Sequence, residues 1–185
     1  VSEAGVVFQF RLALPPGSYQ LRIAGRDVGS GTAGSVLLEL EVPDFFTSPL
    51  SMSGIALTGE EAGLVPSPKP DPILEKSLSG TPVTQRVFAA SDIITALVEV
   101  YDNQLGNAHT ISLTTSVAAE DGRVLFRQET SRSSAELKGA RGVLGHVIRI
   151  PLLDLGRGIF VLKIEARLSL GAVPVVSQEL PFRVR

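Results

Sequence analysis

The chain is predicted to be all-β, one complete β-sandwich preceded by part of a second. Three observations predict this. Apolar and polar residues alternate with a period of two along most of the 185 residues. The alternating runs are short and bounded by Gly, Pro, Asp or Asn. No long stretch carries helical periodicity. A hydrophobic share of 44% against 19% charged residues is that of a globular chain able to bury a core.

The runs follow in order. Val6–Leu12 reads as a strand, and Pro15-Pro16-Gly17 turns the chain into a second, in which Tyr19, Leu21 and Ile23 share one face. Val36–Val42 is a third, ended by Pro43, which has no N–H for a ladder. A second series runs through Leu50–Leu57, Val83–Phe88, Ile93–Tyr101, His109–Ala119, Val124–Gln128, His146–Leu152, Ile159–Leu168 and Val173–Val184. Asp121-Gly122 marks a tight hairpin between two of them. Seven or eight short strands at this spacing describe an immunoglobulin-like sandwich. The absence of Cys and Trp separates it from antibody domains. Two segments interrupt the series. Residues 59–82 hold Pro66, Pro68, Pro70, Pro72 and Pro82 and read as an extended loop or linker. In Ser131–Gly145, Ser133 and Glu136 have capping-box spacing, which predicts one or two helical turns.

The end of the chain resembles its beginning. Gly17–Arg26 (GSYQLRIAGR) aligns without a gap on Gly158–Arg167 (GIFVLKIEAR), with Tyr19 opposite Phe160, and Leu38 and Val42 correspond to Leu180 and Val184. A duplication places residues 1–46 as the last three strands of a truncated sandwich and residues 47–185 as a whole one. Tyr19 then takes the place of a corner tyrosine, whose hydroxyl bonds nearby backbone. Because the chain starts on Val1 next to a strand-like run, it is expected to be cut from a longer protein.

The hairpin Leu14-Pro-Pro-Gly-Ser-Tyr-Gln-Leu-Arg22, the turn Gly29–Ser35, and the runs Leu40–Phe45 and Leu50–Leu57 together resemble the C-terminal region of bacterial von Willebrand factor A-related proteins. The resemblance implies a module of a large exported protein, in a periplasmic or secreted location. Metal-dependent adhesion in that family belongs to an upstream A domain with an Asp-x-Ser-x-Ser motif. This chain lacks that motif, so none of those ligands carries over.

Several functions are disfavoured by composition and spacing. A net charge of −2 supplies no basic face for nucleic acid. Without Cys there is no thiolate chemistry and no cysteine-bound metal. No run reaches the roughly 18 apolar residues of a membrane span. Gly29-x-Gly31-x-x-Gly34 matches the dinucleotide fingerprint, but a strand-like run follows where a helix should hold the phosphates, so no cofactor is expected. No Gly-x-Ser-x-Gly elbow and no carboxylate pair in a foreseeable cleft exist, so no enzyme and no catalytic residue is expected.

The candidate binding surface is one end of the sandwich. Loops 102–108, 131–145 and 169–172 should gather there and present Asp102, Asn103, Asn107, His109, Arg132, Lys138, Arg141 and His146. Asp102, Asn103, His109, Arg132, Arg141 and His146 are the binding candidates. Two His and a carboxylate are also a donor set for a metal, but solvated loop residues sharing no ligand are the simpler reading, and no metal is assigned. The expected function is a non-catalytic structural or interaction module that partners the upstream domain of its own polypeptide and binds a protein or glycan through these loops. The alternatives are assembly by strand exchange at an exposed edge, or an accessory metal- or sugar-binding domain of an enzyme.

Overall fold

The structure is a computed structural model and describes residues 8–60, 71–78, 80–104, 106, 108–137, 142–171 and 175–185. Its described residues fall into two compact units, one of residues 11–44 and the other made chiefly of residues 45–185.

The larger unit is a β-sandwich. Its first sheet is built on β6 (Ile93–Asp102), which pairs on one side with β9 (Val143–Pro151) and on the other with β3 (Leu50–Met52) and β4 (Ala56–Gly59). Its second sheet runs in the order β5 (Val87–Phe88), β11 (Val176–Val184), β10 (Gly158–Leu168), β7 (Thr110–Ala119) and β8 (Val124–Ser133). All pairs are antiparallel except β5 with β11. This division of strands is that of an immunoglobulin-like sandwich, A, B and E facing C′, C, F and G.

Alternation decides what the sandwich buries. Ile94, Ala96, Val98 and Val100 of β6 meet Ile111, Leu113 and Val117 of β7 and Phe160, Leu162 and Ile164 of β10 in one core. β3 and β4 show how parity selects the residues that face the core. Leu50 and Met52 enter the core at even positions and Leu57 at an odd one, while Thr58 is also buried, its hydroxyl donating to Thr81 O at 2.8 Å. The register against β6 moves by one residue between them, from Met52↔Val100 to Ala56↔Leu97. The extra residue is absorbed at Ser53–Ile55, a bulge. There Ser53 N donates to Glu99 O at 2.8 Å, and Ser53 Oγ accepts from Glu99 N at 2.9 Å, so the side chain stands in for a ladder carbonyl.

The predicted turns form as their residues dictate. Gly122 takes φ +82°, which suits glycine, and its N–H reaches Ala119 O. Ser133 and Glu136 make the capping box of a short 3-10 helix, Ser134–Glu136. The Pro-rich segment departs from the loop reading. Pro72–Ser77 is a helix, α1, and Asp71 Oδ1 caps it by accepting from Leu74 N at 3.3 Å. Residues 61–70 of that segment lie outside the described residues.

The smaller unit is a single hairpin, β1 (Gly17–Arg26) with β2 (Ala33–Val42). It has two strands where three were expected. Residues 8–12 form no strand, and the rest of the expected first strand, residues 6 and 7, lies outside the described residues. Phe8, Phe10 and Leu12 are 68%, 73% and 55% exposed, so their alternation meets no ladder. Asp27 turns the hairpin by accepting from Gly29 N and Ser30 N, and these N–H groups pull its carboxyl below the ordinary value. The glycine-rich motif therefore belongs to the hairpin loop between β1 and β2.

The repeat is visible in three dimensions. Gly17 pairs with Val42 as Gly158 pairs with Val184, Tyr19 with Leu40 as Phe160 with Phe182, and Leu21 with Leu38 as Leu162 with Leu180. At both glycines the nearest atoms to an added Cβ belong to the aromatic ring two residues on, Tyr19 at 3.7 Å and Phe160 at 3.3 Å. The shared Gly-x-aromatic start is thus a ring folded over a residue without a side chain. Tyr19 also makes the corner bond, its hydroxyl donating to Pro15 O at 2.8 Å.

The two hairpins differ in cover, and this sets a test. Leu180 is 7% exposed and its counterpart Leu38 is 51% exposed. Leu180→Ala is expected to cost the sandwich about 2–4 kcal/mol, and Leu38→Ala less than about 0.5 kcal/mol, in denaturant unfolding followed by backbone circular dichroism.

Candidate functional site

The end of the sandwich where the loops were expected to meet is held together by backbone and side-chain bonds. Asp102 N donates to Gly142 O at 2.9 Å. His109 N donates to Ser134 Oγ at 3.1 Å, and His109 O accepts from Ser134 N at 2.9 Å. Thr110 and Ser169 are joined by two bonds of 2.9 Å, Thr110 N to Ser169 Oγ and Ser169 N to Thr110 O. The ends of β6 and β7, the 3-10 helix, the start of β9 and the β10–β11 loop therefore come together.

What that end presents differs from the expectation. Asp102 Oδ2 lies 2.7 Å from His109 Nε2, and neither side chain has any exposed surface. Parity gives the reason. Asp102 follows Val98 and Val100 on the inward row of β6, and His109 precedes Ile111 and Leu113 on the inward row of β7. Each strand thus finishes its buried face on an ionisable residue, and the two satisfy each other across the gap between sheets. Asp102 Oδ1 also accepts from Gln104 N at 2.9 Å. The solvated reading of these residues is corrected: they are a buried polar plug in the end of the core.

His146 is likewise buried, at 6% exposure, on the inward row of β9 between Leu144 and Ile148. Its Nε2 lies 3.3 Å from Thr115 Oγ1, a wholly buried hydroxyl of β7, so the contact bridges the two sheets. Sequence reading did not single out Thr115, although its place between Leu113 and Val117 on an inward row marks it. Burial, with the Arg132 charge nearby, holds the His146 imidazole below its ordinary value of 6.5.

The remaining candidates separate. Asn103 leaves the strand, and its Nδ2 donates to Phe45 O at 2.9 Å and Ser48 O at 2.6 Å, holding the turn before β3. Beside it Phe45 stacks on Tyr101 with centroids 4.6 Å apart. The Tyr101 hydroxyl donates to Glu99 Oε2 at 2.7 Å, and burial with that carboxylate raises its pKa. Arg132 is half-exposed and lies 3.6 Å from Glu136. Asn107, Lys138 and Arg141 lie outside the described residues. Among the described residues no group of three or more His, Asp or Glu is placed to hold a metal ion. A shallow hollow of about 240 Å³ on the outer face of the second sheet is lined by Ser112, Thr114, Arg127, Glu165, Arg167 and Val175. Two of its charges are paired within the sheet, Arg127 with Glu129 and Glu165 with Lys163.

No protein-family model matches the chain, and no curated protein matches it. Solved structures with a likeness include the C-terminal domain of Wzt, with a TM-score of 0.48 and 9% identity over 75% of each chain. Dimeric latent PorU from Porphyromonas gingivalis matches with a TM-score of 0.36 and 14% identity over 93% of this chain and 12% of its own. A family 123 glycoside hydrolase from Clostridium perfringens matches with a TM-score of 0.40 and 12% identity over 75% of this chain and 27% of its own. None of these likenesses is strong enough to carry a function across. Among the described residues, no helix is long and apolar enough to cross a membrane.

Two outcomes follow from the buried groups. Asp102→Ala is expected to cost about 3 kcal/mol, because it removes the buried partner of His109 Nε2, and a loss below about 1 kcal/mol in denaturant unfolding contradicts the plug. For His146 the folded pKa lies below the unfolded one, so the unfolded chain binds the proton more readily. Stability is then full above pH 6.5 and erodes as the pH falls from there toward the lower folded value. His146→Gln should flatten melting temperature against pH between about 7.5 and 5.5, and an unchanged slope assigns the effect to another group.

Proposed function

We propose that this chain is a non-catalytic structural and interaction module of a larger exported protein, the role implied by the resemblance to von Willebrand factor A-related proteins. The observation that supports this reading is the Asp102–His109 plug, with both side chains wholly buried 2.7 Å apart. Side chains that chemistry or metal binding would require in reach of a ligand join the ends of β6 and β7 instead. His146 serves the sheet-to-sheet contact with Thr115 in the same way. The result is a rigid scaffold whose end loops are tied to one another. On such a scaffold, ligand recognition falls to exposed side chains such as Arg132 and to the rims of the loops. The partners proposed are the neighbouring domain of the same polypeptide and a protein or glycan at the loop end.

A second reading, assembly through strands, is favoured by the β1–β2 hairpin, which pairs with no third strand among the described residues.

A thermal-shift screen with divalent metals and with mono- and oligosaccharides separates the module from an accessory ligand-binding domain. A scaffold of this kind gains no stability from any metal, and Asp102→Asn and His109→Gln lower the melting temperature equally with and without additives. A metal-dependent gain of several degrees, abolished in His109→Gln, overturns the structural role of the pair.

A further inference from the structure

The β1–β2 hairpin is amphipathic. Tyr19, Leu21, Ile23, Val36, Leu38 and Leu40 share one face, while Gln20, Arg22, Glu39 and Glu41 share the other, whose one large apolar residue is Leu37. The apolar face is open: Ile23, Val36 and Leu38 are 49%, 67% and 51% exposed. The same face of the matching hairpin is closed, with Phe160, Leu162, Ile164, Leu180 and Phe182 at 7% exposure or less. What closes it is the sheet of β3, β4, β6 and β9, whose Ile94, Val98, Val100, Ile148 and Ile150 belong to the same core.

We propose that the apolar face of the β1–β2 hairpin is a docking surface for one occupant, an aliphatic β-sheet of the A-B-E kind from elsewhere in the same polypeptide. With it the hairpin completes a second immunoglobulin-like sandwich. The matched registers, the ring over glycine and the corner bond of Tyr19 identify the hairpin as the F–G element of such a domain. The size of the face argues against a second copy of the chain. Two ten-residue strands make a face about 33 Å long and 10 Å wide, so two hairpins face to face bury about 700 Å². That is about six-tenths of the roughly 1,200 Å² at which specific interfaces begin, and two chains must also offset the entropy of association. A sheet joined covalently to the hairpin avoids most of that entropy, because its effective concentration is high. This inference rests on the larger protein of the proposed function but not on what its loops bind, so the ligand screen and the following test fail independently.

Amide hydrogen exchange is compared between residues 1–185 and the full-length natural polypeptide that carries them. In residues 1–185 the amides of Leu21, Ile23, Leu38 and Leu40 should exchange quickly at all protein concentrations. In the full-length polypeptide they should slow by about 100-fold or more. The double variant Ile23→Asp, Leu38→Asp should cancel the slowing while Val98 and Leu162, within the other sandwich, stay protected as controls. Equal exchange in the two polypeptides overturns the proposal. So does protection in residues 1–185 that rises with concentration, which makes a second copy the occupant. Slowing that survives the double variant overturns it as well, because the cover then lies elsewhere.

Discussion

In a sandwich of two sheets only every second side chain of a strand faces the core between them, and a slip of one residue exchanges that set for the other. This constraint governs each part of the larger unit. It gives β6 and β7 their rows of aliphatic residues, and it requires the bulge at Ser53–Ile55, without which Leu57 would face away from the core that Leu50 and Met52 enter. It also carries Asp102, His109, Thr115 and His146 inward, because each occupies the right parity whatever its polarity. Once inside, these groups must find partners, and they find them across the gap between the sheets.

Much of this was legible in the alternation. Most strands of the sandwich lie where the period of two places them, although Leu50–Leu57 divides into β3 and β4 and only Val87–Phe88 of the run from Val83 pairs; Asp121-Gly122 makes its hairpin, and the capping box at Ser133 and Glu136 holds its single turn. Three departures have different causes. Phe8, Phe10 and Leu12 carry the pattern of a strand but form none, since alternation measures fitness for a ladder and says nothing of whether a neighbouring strand is there. Asp102, His109 and His146 were placed by residue type, which favours solvent, against the parity of their own strands. The helix Pro72–Ser77 had a signal too, Asp71 before Pro72 at a first helical position, which the density of prolines around it obscured.

The two related hairpins separate sequence pattern from stability. Leu21 with Leu38 and Leu162 with Leu180 occupy equivalent cross-strand positions. Leu162 and Leu180 lie beneath a second sheet and are buried, while Leu38 is half exposed. Strand pairing fixes which residues stand together, and burial by a third element determines what that pairing contributes.

The parallel pair of β5 and β11 bears on how the sandwich behaves under tension. Arg183 N donates to Arg86 O, Arg185 N to Phe88 O and Ala90 N to Arg185 O. A force that pulls the chain apart at its two ends draws parallel neighbours in opposite directions, so these bonds are loaded together in shear and cannot open one after another. Even with β3 and β4 stripped from β6, these bonds still lie between the load and the core.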